Sequence, residues 1–360
     1  MPPILWRVLP VLIVATALLA LWKVPAVPAA GVRYVRIAAG PATTPTFLAA
    51  TALANVASRP PGLPACQADR ACGVDGVVVL AQSQPTPEAV LAAVAGGQAE
   101  TGVVPAAFLL DARCGPKRAR GRDLALLANV YSEAVQVVVR AGLAAASPAD
   151  LKGSRLVLGA VGSDGRRLTE QVLQAYGLKR RDVRAIELDG AAALAALQLG
   201  KADAVVLLRP FPDPAVAELV ASGAVRLLPV SGPEAVKLST LRPTLGEAVL
   251  PAGTYGAEAA LPTLAAFMAW VASPALEAEL ALHLTAAAWR PANRALLSLP
   301  EMALAPREAA TLRAPVPAHA GAAAFYGAPA AALSCPDISS PTGGQASTTP
   351  PGTSSAARPG

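Results

Sequence analysis

Hydrophobic and polar positions along the chain change period repeatedly, and the changes mark out elements. Residues 32–38 alternate apolar with polar as a half-buried strand does, and 47–57 read as a helix beyond a Pro/Thr loop at 40–46. A continuous apolar run at 76–82 reads as a buried strand, 86–95 as a helix and 101–104 as a short strand. Two further strands are expected at 123–130 and 134–140, then a helical turn at 148–151 and a strand at 155–159. The stretch 166–176 is amphipathic and helical, with Gly177 placed as its C-terminal stop. Strands at 186–188, 204–208 and 225–229 then alternate with helices at 191–199 and 214–222. Two alanine-rich segments, 261–272 and 274–285, read as helices. Strands separated by helices mean parallel sheets, so the fold class is α/β. No repeat of 20–50 residues stands out.

The two ends are different in kind. Arg7 precedes an apolar run from Val8 to Trp22, about fifteen residues where a membrane-crossing helix needs about twenty. Val27-Pro28-Ala29 supplies the small residues of a cleavage site, so residues 1–29 read as a secretory signal peptide. Lys23, between the apolar run and that site, leaves retention as an N-terminal membrane anchor open. From Pro336 to 360 the chain turns to Pro, Ser, Thr and Gly, a composition that cannot build a core, and a disordered tail is expected.

Composition then removes whole classes. The chain has 360 residues, 54% hydrophobic but only 15% charged, with two histidines and four cysteines. Its length suggests two domains. Cleavage after Ala29 would remove two positive charges from a net of +6, so the basic balance gives no reason to expect nucleic-acid binding. The basic loop of Arg113, Lys117, Arg118, Arg120 and Arg122 lacks the interleaved aromatics that stack on bases. Export fits the cysteines: Cys66 and Cys72 lie close in a Pro-rich loop that a disulfide could staple. Cys114 and Cys335 are left either joined or free. No metal site is expected, because thiolate sites favour tighter cysteine pairs with histidine nearby.

Catalytic signatures are missing as well. There is no G-x-S-x-G, H-E-x-x-H, P-loop or S-x-x-K, and Gly159-Ala-Val-Gly162-Ser163-Asp164-Gly165 lacks dinucleotide spacing. His283 fits a partly buried structural position, His319 has no nucleophile or acid near it in sequence, and Trp270 and Trp289 fit a core. The reading is therefore of a protein that is not an enzyme and needs no cofactor. What remains is the strand, small-residue turn and helix start over 155–166. Free N–H groups and the helix dipole there suit an anion, and an ordinary turn capped by Ser163 or Asp164 suits the residues equally well. The Thr-rich turn of Gly40, Thr43, Thr44, Thr46 and Phe47 would be its counterpart across a cleft.

Several separated segments resemble the TAXI family, the solute receptors of TRAP-type secondary transporters. They are Arg36-Ile-Ala-Ala-Gly40 with Thr46-Phe47, Asn129-Val-Tyr131-Ser-Glu133, and Ala149-Asp-Leu-Lys-Gly153 running into Gly162-Ser163. Leu199-Gly-Lys-Ala-Asp203-Ala204, Pro251-Ala-Gly-Thr-Tyr255 and Ala318-His319-Ala-Gly321 with Phe325-Tyr326 continue the series in family order. The resemblance implies a two-lobed type II periplasmic-binding-protein fold, each lobe a largely parallel sheet flanked by helices, joined by hinge crossover strands. It implies lobe 1 at 32–146 and 230–330 and lobe 2 at 147–229. The implied function is an exported periplasmic receptor that captures a small carboxylate resembling glutamate or 2-oxoglutarate and passes it to a TRAP permease. A periplasmic or membrane-anchored ligand sensor, using the same fold to signal to a partner, is the alternative.

Carried over by position, Gly162, Ser163 and Gly165 would meet the carboxylate. Gly40, Thr43, Thr46 and Phe47 would line the opposite wall, Tyr131 and Glu133 would lie near the floor, and Tyr255 would support hinge or wall. Departures fall at the same places. Prolines 41 and 45 stiffen the first turn, Asp164 and Arg166 flank the second, and Pro105 stands where the family carries glutamine. Asp164 facing inward would repel a carboxylate, whereas Arg166 could pair with one.

Overall fold

The computed structural model describes residues 31–115, 123–188, 190–297, 299, 301–302, 305–327 and 332–335. The targeting segment, residues 116–122 of the basic loop and the tail from Pro336 lie outside these residues.

From the N-terminal side the chain lays down β1 (Arg33–Ala39), α1 (Pro45–Ala57), short strands β2 (Ser58–Arg59) and β3 (Val74–Asp75), then β4 (Val77–Ser83). It continues through α2 (Pro87–Ala95), β5 (Thr101–Pro105), α3 (Ala106–Cys114) and the long β6 (Ala125–Arg140). Strands β4 and β5 flank β1 in parallel. Alternate residues of β1 enter different cores: Val35, Ile37 and Ala39 pack with α1, Ala38 with α2. Helices thus cover both faces of this half-sheet, as buried parallel strands require. Gly102 permits the second contact, since a Cβ there would lie 2.8 and 2.9 Å from methyls of Val90 and Val94.

The second half repeats the plan. It comprises β7 (Arg155–Val157), α4 (Asp164–Ala175), β8 (Arg184–Ile186), α5 (Gly190–Gln198) and β9 (Ala204–Arg209). After these come α6 (Pro214–Ala221), β10 (Val225–Leu228), α7 (Gly232–Leu241) and β11 (Gly246–Leu250). Strands β8 and β9 lie parallel on either side of β7. Again the residues alternate between cores, Leu156 and Leu158 packing with α4 and Val157 with α5. The chain closes with β12 (Leu261–Ala272), α8 (Ala278–Trp289), α9 (Pro291–Arg294) and α10 (Ala320–Tyr326).

One sheet joins the halves in the order β3-β2-β4-β1-β5-β12-β6-β9-β7-β8. Antiparallel β6 and β12 are the crossovers. Up to Ala134 β6 pairs with β12, and from Ala134 onward it pairs with β9, joined by β10 from Val137. Correspondingly, β12 exchanges β11 for β6 at Ala265, opposite Ala134. Both strands change partners at one level. The result is the expected α/β fold of two lobes with parallel inner strands and shared crossover strands.

Three element readings are corrected. Residues 261–272, read as a helix, form β12, which is central and buried on both faces and so shows no alternation. The two strands expected at 123–130 and 134–140 are one, β6. The helix placed at 274–285 runs instead over Ala278–Trp289, and His283 on it is exposed rather than partly buried. Cys66 is bonded to Cys72, and the open question of the other pair resolves as Cys114 bonded to Cys335. His319 caps α10, its Nδ1 accepting from the Gly321 N–H at 3.2 Å.

Candidate functional site

The carboxyl ends of β5, β7 and β9 converge where β6 and β12 change partners, the edge at which open α/β sheets place their ligands. A cavity of about 280 Å³ lies there. Pro105 and Ala107 line it beyond β5, Glu133, Ala266 and Met268 from the crossovers, Gly159, Asp164 and Gly165 from the turn into α4, Arg209 from the end of β9, and Arg242 from beyond α7. A second cavity of about 270 Å³ shares Ala107, Asp164 and Arg242 with the first and continues the cleft between α3 and α4. Pockets for small ligands begin at about 300 Å³, so this one suits a small solute.

The turn into α4 is built by glycine. Gly159 has φ +97°, and a Cβ on it would lie 2.8 Å from the backbone N of Arg166, so only glycine admits so tight an approach of strand and helix. Gly162 is also left-handed, with φ +81°. Ser163 is the N-cap, its hydroxyl accepting from the Arg166 N–H at 3.1 Å. Asp164 opens the helix, favourably placed for the dipole, and is held by two cations: Arg242 Nη2 donates to Oδ2 and Arg167 Nη2 to Oδ1. These pairs answer the repulsion feared from Asp164. Arg167 also reaches Asp111 of α3 at 3.5 Å, an ion pair across the cleft mouth.

Two arginines supply the positive charge of the cavity. Arg242, only 7% exposed, follows α7; its Nε is buried and has no partner among the described residues. A buried guanidinium N–H left unpaired is costly; Nη1 of the same group donates to Gln171 at 3.4 Å, and the residue lines both cavities. Arg209 ends β9, with Nη1 donating to Asp213 at 3.1 Å. The loop after it is fixed from two sides. Gln136 Nε2 donates to the Arg209 and Pro210 carbonyls, and the Tyr255 hydroxyl accepts from the Asp213 N–H at 2.7 Å while donating to Gln136. The Pro251–Tyr255 segment therefore positions Arg209 without lining the main cavity.

Glu133 lies on β6 opposite Ala266, one residue before the partner change, and its carboxyl makes no hydrogen bond among the described residues. Burial pushes its carboxyl up to about 8; Arg209 opposes the shift, while Glu301 and Asp164 add to it. Tyr131 is fully buried, its hydroxyl without a partner among the described residues, and burial followed by the charges of Glu133 and Glu301 holds its phenol well above the ordinary range.

The expected residues are thus gathered in part. Glu133, Asp164 and Gly165 line the cavity, whereas Gly162 and Ser163 belong to the turn that caps α4 and do not line it. Arg166 turns away, bonded to Glu170 and Glu187 at 3.0 Å each. Gly40, Thr43, Thr46 and Phe47 stand at the carboxyl end of β1 but do not line the cavity. Thr44 and Thr46 bond one another at 2.9 Å above Gly40, Thr43 is exposed, and Phe47 packs onto the lobe 1 core. Arg209 and Arg242 were missed. A lone arginine closing an apolar strand just before proline, as in Leu208-Arg209-Pro210, was the available signal for the first.

Solved structures of similar fold include the periplasmic aliphatic sulphonate binding protein SsuA from Escherichia coli, 18% identical, with 74% of this chain and 73% of that chain covered and a TM-score of 0.43. A TctC solute binding protein from Polaromonas is 14% identical over 78% and 87%, TM-score 0.48. PhnD1 from Prochlorococcus marinus, in complex with methylphosphonate, is 15% identical over 71% and 83%, TM-score 0.41. The match of residues 37–327 to the NMT1-like family takes in both lobes, both crossovers and every wall of the cleft, and the chain belongs to that family.

Proposed function

We propose that this protein is a solute receptor that captures a small organic acid between its lobes and does no chemistry on it. The observation that carries the reading is Arg242: a guanidinium shared with Asp164 at the start of α4, in the wall of a cavity of small-solute size. A carboxylate accepts from such a donor strongly, and the helix start adds favourable potential. Lobes that share the crossover strands β6 and β12 can close on a ligand that touches both, so binding energy becomes a conformational signal.

In this reading the lobes are 32–146 with 230–330 and 147–229, α7 and β11 riding on the second through Ala235, Leu238 and Leu245. Residues 1–29 direct export to the periplasm, with retention as an anchor the variant form. The partner is a membrane permease, of the TRAP type if the TAXI resemblance extends to function. The ligand is a carboxylate of glutamate or 2-oxoglutarate size.

Mass spectrometry of the solute that co-purifies, followed by calorimetry with 2-oxoglutarate, L-glutamate, methanesulfonate and methylphosphonate, tests this. A carboxylate binding at micromolar Kd supports it. Selective binding of a neutral or cationic solute, with no acid bound, contradicts it.

A further inference from the structure

The floor of the cleft carries a group that the anion site does not use. Glu133 lines the cavity beside Ala266, Met268 and Arg209. Its backbone is committed to the sheet on both sides, through Ala266 on β12 and the start of β9 at its neighbour Ala134. The groups that face it are Arg209 from β9, Asp164 from α4, Glu301, and Tyr131 from its own strand, with Arg242 further round the wall. Residues Ala266 to Met268 of β12 bring no charge. Arg209 is already paired with Asp213, and among the described residues no cation hydrogen-bonds the Glu133 carboxyl. A carboxyl in that setting keeps its proton.

Resting on the proposed function, we infer that Glu133 is a specificity-determining residue: it donates a hydrogen bond to a second oxygen acceptor of the ligand, away from the end held by Arg242. The cleft therefore selects acids that carry a keto, hydroxyl or second carboxylate oxygen over acids with an apolar far end. Burial of the carboxyl, which pushes it up to about 8, agrees with a donor at neutral pH. Binding then requires the protonated residue, and affinity falls once that proton leaves. The buried Tyr131 is shifted upward and keeps its proton between pH 7 and 9.5.

Calorimetry with 2-oxoglutarate and with pentanoate, from pH 6 to 9.5, is the experiment. Wild type should bind 2-oxoglutarate at least about tenfold more tightly than pentanoate at pH 7. Its affinity should hold to about pH 8 and then drop roughly tenfold per pH unit. Glu133→Gln keeps a donor, so its affinity at pH 7 should stay within about threefold and the alkaline drop should vanish. A flat wild-type profile, or an affinity that rises toward pH 8 and is abolished in Glu133→Gln, overturns the inference while leaving the acid-receptor reading standing. Failure of wild type to bind any acid removes both. The wild-type profile decides even if the variant does not fold.

Discussion

Asp203 shows how a single carboxylate ties a lobe together. It sits just before β9, accepts from the backbone N–H and guanidinium of Arg155 on β7, and pairs with Arg140 at the end of β6. Hydrogen bonds from Arg155, outweighing burial, hold its carboxyl far below the usual range. A carboxyl depressed in the folded state stabilises the fold fully above its unfolded pKa of about 4 and loses that contribution as pH falls toward its folded value. Wild type should therefore lose stability steeply below pH 4, and Asp203→Asn should be less stable at pH 7 yet show a shallower acid limb in urea denaturation. Parallel acid limbs for the two proteins would show that Asp203 does not bear this load.

At the scale of elements, contacts between helices are closed by small residues. Gly321 of α10 lies against α8, where an added Cβ would come within 2.6 Å of the Leu282 N and 2.9 Å of the Ala281 Cβ. Backbone cannot yield there, so Gly321→Ala should cost about 1–3 kcal/mol, read as a fall in denaturation midpoint; an unchanged midpoint would mean α10 shifts freely. Elements such as α4 were legible because Ser163, a polar face and Gly177 spell out start, side and stop. By contrast β12 was not: Ala265 to Ala272 is buried almost throughout, and an alanine-rich run without alternation looks helical until its neighbours are known. The site divides in the same way. Its glycine turn is local and could be read, whereas Arg242 meets Asp164 across 78 positions, a contact made only by the packing of α7 on α4.

For the whole molecule, two features set how the lobes are held. The Cys114–Cys335 disulfide spans 221 positions and fixes the end of α3, the helix that brings Ala107 and Asp111 to the cleft. A crosslink across so long a loop restricts the unfolded chain by on the order of 5 kcal/mol, against roughly half that for Cys66–Cys72. Removing it by Cys114→Ala with Cys335→Ala should therefore lower the melting temperature by more than the Cys66→Ala, Cys72→Ala pair does; the reverse order would contradict that account. Arg167 to Asp111 is the complementary electrostatic tie across the mouth. The central claim, however, is that an acid binds beside Arg242 between lobes that share two strands. Calorimetric titration of wild type and Arg242→Gln with 2-oxoglutarate, at pH 7 and side by side, tests it most directly. Micromolar binding by wild type, weakened at least about a hundredfold in a variant of native circular dichroism, is the predicted result. Equal affinity in the two proteins would contradict it.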